Sequence, residues 1–145
     1  MKYALALTLA LVCAACSSLT PLPVQAGDTC YRCRRVIADR TLAAEIIDAD
    51  GYALKFRTAG CLAQYLDQHA GQVRGIFVTD YSRGKMVRAE QAMFVRAEID
   101  PLTHEMDYLA FTSVTDAVRH GRTQHSTPVD WLRVRSQIRV AAKSD

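Results

Sequence analysis

The chain has 145 residues, of which 50% are hydrophobic and 23% charged, and its formal charge is +3. That length suits one compact domain, or two very small units sharing a core. The 18 basic side chains are interspersed with 15 acidic ones, so no electrostatic argument points to nucleic acid as a partner.

Met1-Lys2 makes a short positive start, and Tyr3 to Ala15 is an uncharged apolar run. The run falls short of the ~20 residues a bilayer-spanning helix needs, and its layout is that of a signal peptide. Pro21 and Pro23 separate it from the rest of the chain. Two cleavage readings compete over residues 1–26. Ala14-Ala15-Cys16-Ser17-Ser18 resembles a lipobox, with Cys13 where Leu is usual, and makes Cys16 the lipidated first residue. Val24-Gln25-Ala26 offers small residues to an ordinary signal peptidase and leaves a protein starting at Gly27. We favour the lipoprotein. Either reading places residues 27–145 in a bacterial cell envelope, lipid-anchored and facing the periplasm or soluble within it. The folded part then keeps Cys30, Cys33 and Cys61. An odd number of cysteines in an oxidising space points to a free thiol or a metal ligand beside any disulfide.

Regular structure is expected from about Thr29. Leu42 to Asp48 and Tyr52 to Thr58 flank Ala49-Asp50-Gly51, and Asp-Gly between two apolar runs is a hairpin signal. Gly60 to His69 sets Leu62, Tyr65 and Leu66 at helical spacing, and Gly71 ends that segment. Val73 to Tyr81 is β-branched and aromatic, a third strand. The same order then recurs. Met93 to Ile99 and Tyr108 to Ser113 are strand-like, Val114 to His120 is a short helix, and Leu132 to Val140 alternates as a half-buried strand does. A basic amphipathic helix is the rival for that last segment. The expected fold is α+β: two related strand-strand-helix-strand units, about 40–82 and 86–140, packed as one compact domain.

Chemistry concentrates at Cys30-Tyr31-Arg32-Cys33. Two thiols separated by two residues can meet on one metal ion or close a small disulfide ring. Arg32, Arg34 and Arg35 crowd the pair and favour thiolate over thiol. A structural zinc site normally takes four ligands, and Cys30, Cys33 and Cys61 leave it one short. Few soft sulfur donors suit Cu(I) better. Cys61 opens a helix, where it is either a buried free thiol or a reactive thiolate and third ligand. Met106 reads as a packing or surface methionine. His104, His120 and His125 lie in polar stretches and read as surface residues, with His104 two residues from Met106.

The chain resembles the NosL-type accessory lipoproteins, which carry Cu(I) for maturation of nitrous oxide reductase. The resemblance spans about Cys30 to His120. It rests on C-x-x-C-x-x-x-I-A-D at Cys30 to Asp39, Ala43-Ala44, Asp50-Gly51, Lys55-Phe56 and Gly60-Cys61-Leu62. Val78-Thr79-Asp80-Tyr81, Ala89-Glu90-Gln91-Ala92 with Phe94-Val95, and Met106 with Leu109-Ala110-Phe111 extend it. The resemblance implies two strand-strand-helix-strand units. It also implies Cys33 as the main Cu(I) thiolate, Cys30 as its companion, and Met106 as a thioether donor. The chain departs from the family at one point: Cys33-Arg34-Arg35 stands where members typically read Cys-Gly-Met, so one donor is missing and two cations are added. The departure leaves three readings open: weaker copper binding, a different ligand set that uses Cys61, or a member that has lost the copper function.

Three functions fit these residues, in descending order. The first is a non-enzymatic, periplasm-facing copper carrier, with nitrous oxide reductase or its assembly machinery as recipient and the membrane as partner through a lipid on Cys16. The second is a non-catalytic lipoprotein pinned by a Cys30–Cys33 disulfide, binding another envelope protein. The third is a thiol-disulfide redox protein, against which stands the hairpin that comes after the C-x-x-C, where a redox pair opens a helix.

Overall fold

A computed structural model of the chain describes residues 19–69 and 71–143. Cys13, Cys16 and the apolar run of the expected leader lie outside the described residues. The first hairpin pairs β1 (Ala44–Asp48) with β2 (Ala53–Phe56). Its turn is tied by Asp48, whose carboxylate accepts from the backbone N–H groups of Asp50 and Tyr52 at 3.0 and 2.8 Å. Gly51 takes φ +93°, a conformation that only glycine adopts without cost. Thr58 then caps α1 (Ala59–Gln68), and β3 (Val73–Asp80) returns antiparallel to β1. A short strand not expected from the sequence, β4 (Lys85–Arg88), pairs with the end of β3.

The second hairpin joins β5 (Met93–Asp100) to β6 (Glu105–Phe111), and Ser113 caps α2 (Val114–Thr123). The sheet runs β2-β1-β3-β6-β5, with β4 beside β3. One parallel bridge, Asp80 to Ala110, stitches the two hairpins together. The class is α+β, as expected.

The last element differs from the expectation. Leu132 to Val140 is helical, within α3 (Trp131–Ala141). Asp130 caps it, accepting from the Arg133 N–H at 2.8 Å. Trp131, Val134 and Ile138 form its inward stripe, with Trp131 and Val134 buried in the main core. That helical stripe buries an aromatic side chain, which the alternating Leu132-x-Val134 pattern would have left outside, and Leu132 is 74% exposed. Strand pairing after α2 shrinks to one residue, Val129, which exchanges both backbone bonds with Phe94 at 2.7 and 2.9 Å.

Helices α1 and α3 cover one face of the sheet, where Ile46, Phe56, Val78 and Phe94 pack with Leu62, Leu66 and Trp131. Ordered chain also begins earlier than Thr29. Residues 19–24 form a strap over the other face: Val24 packs with Ile37 and Ala43, and the Leu22 N–H donates to the buried Glu45 at 2.9 Å. Leu19 lies directly over Gly75, where a Cβ would sit 2.5 Å from its side chain. Among the described residues no helix is long and apolar enough to cross a membrane.

Candidate metal centre

The C-x-x-C segment folds as a tight knuckle. The Cys30 N–H donates to the Arg35 carbonyl at 2.8 Å, the Arg34 N–H returns to the Cys30 carbonyl at 2.9 Å, and the Tyr31 N–H is anchored on Lys55 of β2. Arg34 has φ +61°, in the left-handed region where glycine is at home. It is the position at which the resemblance expects glycine. The knuckle sits over the end of β2 because Tyr31 packs edge-on against Phe56 and Tyr65, at 6.4 and 5.5 Å between ring centres.

Cys61 arrives from the opposite side, in the first turn of α1. The Thr58 hydroxyl accepts from the Cys61 N–H at 3.1 Å and donates to Asp107 of β6 at 2.5 Å. Asp107 also accepts from the Gly60 N–H at 2.8 Å. A Cβ on Gly60 would lie 2.6 Å from that carboxylate, so only glycine lets β6 approach the start of α1 so closely. Asp107 is buried, and burial pushes its carboxyl above the usual range despite the hydrogen bonds it accepts.

These two pieces bring Cys30, Cys33 and Cys61 together, with the three Sγ atoms within 4.8 Å of one another. Cys33 and Cys61 are 3.9 Å apart, and all three are free thiols. Metal–sulfur bonds of about 2.3 Å place sulfurs about 4 Å apart in a trigonal site, so the cluster has the dimensions of a three-sulfur centre. Cys30 and Cys61 are buried while Cys33 is partly open, so one ligand faces solvent. The Cys30 thiol is held down at about 4, first because Cys61 donates a hydrogen bond to it. Burial opposes this, and the backbone N–H groups of Cys33 and Arg57 assist it. Cys61, the donor, is pushed up by that bond and by burial. Cys30 is thus the more acidic of this hydrogen-bonded pair of thiols.

The arginines are arranged so as to leave the sulfurs accessible. Arg34 folds over the Tyr31 ring at 5.3 Å. Arg35 reaches Glu105 at 3.3 Å, and Glu105 also binds Arg57. Arg57, which sequence reasoning does not single out, stands beside Cys33 and Cys61. Burial disfavours its charge, but the Glu105 partner outweighs that and keeps it a firm cation. Sequence reasoning likewise passes over Thr58 and Asp107 as site residues. The signal for Thr58 is its hydroxyl three residues before Cys61, a helix cap.

Met106 is 44% exposed, on β6 between Glu105 and Asp107. Its two neighbours both face the start of α1, so strand alternation directs Met106 to the opposite side. His104 is exposed and pairs with Glu98 at 3.3 Å, and His125 is exposed. His120 is half-buried, its ring 4.7 Å from that of Phe111.

No protein-family model matches the chain, and no curated protein matches it by sequence. Among solved structures, the copper chaperone NosL from Shewanella denitrificans is similar with a TM-score of 0.60 and 18% identity. The likeness covers 76% of this chain and 94% of that one. At that identity the shared property is the fold, and the resemblance read from the residues holds at that level.

Proposed function

We propose that this chain is a non-enzymatic copper carrier of the cell envelope, holding Cu(I) on Cys30, Cys33 and Cys61. The observation that carries the reading is the convergence of three free thiols, from two separate segments, at the spacing of a three-sulfur centre. Thiolate donors in low number suit a soft monovalent ion, and similarity of fold to a copper chaperone supports the same ion. Binding displaces the protons that the thiols hold, with Cys30 the more acidic of the hydrogen-bonded Cys30–Cys61 pair. Cys33, the partly open ligand, is the point at which a recipient's donor enters, so the ion passes by replacing one sulfur at a time. The recipient implied by the resemblance is nitrous oxide reductase or its assembly machinery. Met106, the thioether donor implied by the resemblance, is directed to the other side of β6 and is left out of this set, so Met106→Leu is expected to leave Cu(I) affinity unchanged.

The deciding experiment is an anaerobic Cu(I) titration of the reduced protein against a competing chelator, beside Cys33→Ser. One-to-one binding that is lost in the variant supports the carrier. Retained stoichiometry and affinity in the variant would sink the site, and no uptake by either protein favours the disulfide-pinned module.

The carrier reading includes lipidation at Cys16. Cleavage after Ala26 would remove Leu22, Pro23 and Val24, whose contacts cover Glu45, Lys55 and Ile37. The intact mass of protein extracted from the envelope distinguishes a lipidated Cys16 from a free Gly27 terminus.

A further inference from the structure

We propose that Arg57 sets the metal preference of the thiol cluster, favouring a monovalent ion over a divalent one. The inference rests on the copper reading and deepens it. Arg57 is the residue before the cap of α1, and it engages every thiol: its backbone N–H donates to Cys30, and its guanidinium stands beside Cys33 and Cys61. The side chain is 13% exposed, and its Nε is buried with no hydrogen-bond partner. The guanidinium is paired with Cys33 and its field reaches Cys61, so it acts on whatever charge a metal–thiolate complex carries there.

The local charges decide the consequence. Arg57 and Arg35 share one carboxylate, Glu105, and the other acid in the field of Arg57, Asp107, is pushed toward its neutral form by burial, so positive charge is left over beside the sulfurs. Arg34 is withdrawn onto Tyr31. Three thiolates around a monovalent ion leave two negative charges, whereas around a divalent ion they leave one. A buried cation at fixed distance stabilises the first complex more than the second. The divalent ion also lacks the fourth ligand that it prefers. The extra arginines, which look unfavourable for a cation site when read along the sequence, thus become a filter once Glu105 has divided them.

The test compares Cu(I) and Zn(II) affinities of the reduced protein with those of Arg57→Gln, Arg57→Lys and Glu105→Gln, with thermal unfolding as the control for folding. Arg57→Gln is expected to lower the ratio of Cu(I) to Zn(II) affinity by about 10-fold, and Arg57→Lys to keep most of it. Glu105→Gln, which leaves both guanidinium groups uncompensated, is expected to raise the ratio. Glu105→Gln also serves if Arg57→Gln does not fold. Equal weakening of both ions by Arg57→Gln, or a ratio that no variant moves, overturns the inference while the copper reading stands. A wild-type protein that binds no Cu(I) overturns both.

Discussion

The starts of α1 and α2 are built on one plan. Each comes after the second strand of a hairpin, and each is capped by a hydroxyl, Thr58 or Ser113, that accepts from the N–H three residues on. Each also has a buried aspartate from elsewhere in the chain: Asp107 at the first, Asp80 at the second. Asp80 accepts from the backbone N–H groups of Thr112 and Arg83 and from both their side chains. The difference lies three residues after the cap. At α1 that residue is Cys61, faced by the Cys30–Cys33 knuckle; at α2 it is Asp116, faced by Arg83 at 3.9 Å. Arg83 closes the second site internally by pairing with Asp80 and Asp116. The first site pairs its cations with Glu105 and leaves its sulfurs to a ligand. The fold supplies a capped helix start twice, and the covering loop determines which start is faced by thiols.

The comparison is broken most forcefully at the aspartates. Asp107→Ala strands the Thr58 hydroxyl and the N–H groups of Gly60 and Tyr108, at a cost of about 3 kcal/mol in chemical denaturation. Asp80→Ala costs a similar ~3 kcal/mol because it removes a buried, fully bonded carboxylate. The two should separate in Cu(I) titration: Asp107→Ala releases the turn carrying Cys61 and weakens binding, whereas Asp80→Ala leaves binding unchanged. A smaller contrast comes from the caps. Thr58→Ala is expected to cost about 2 kcal/mol, since the hydroxyl also holds Asp107, and Ser113→Ala about 1 kcal/mol, both read from denaturation midpoints.

A third buried carboxyl belongs to neither helix start and responds to pH. Burial raises the Glu45 carboxyl above its usual range, against the opposing Leu22 N–H and Lys55. The folded chain then holds that proton longer than the unfolded one. Its contribution to stability is complete below the ordinary carboxylate range and is lost as pH rises through the raised folded value. Glu45→Gln should therefore flatten the decline of thermal midpoint between acidic and neutral pH, and an unchanged profile counts against this assignment. The smallest effect is at the knuckle. Arg34→Gly relieves a left-handed residue and should stabilise by at most about 1 kcal/mol, less what is lost over Tyr31.

Much of this was legible in the chain. The Asp50-Gly51 turn, the 3.6-residue spacing of Leu62, Tyr65 and Leu66, and the apolar runs at β3, β5 and β6 identify their elements because local pattern and tertiary burial agree there. At Leu132 to Val140 the apolar residues fit both periods. Burial of Trp131 and the Asp130 cap decide for the helix, and the first of these is a tertiary fact. The strand Lys85–Arg88 is short and partly exposed, so no apolar run announces it. Within the candidate site, the thiols were visible as residue types, and Cys61 as the opening of a helix. Arg57 and Asp107 carry no local signal, since their roles exist only once β6 lies against the start of α1.

The strap that begins at Leu19 has a mechanical consequence. It crosses the sheet from Gly75, at the entry end of β3, to the knuckle, which lies over the far end where Ala44 faces Phe56 and Val78. In a chain lipidated at Cys16, Leu19 lies within about 10 Å of the attachment point even at full extension, so the Gly75 end of the sheet is the end nearer the anchor. The knuckle and its sulfurs are then carried at the end farther from the attachment point.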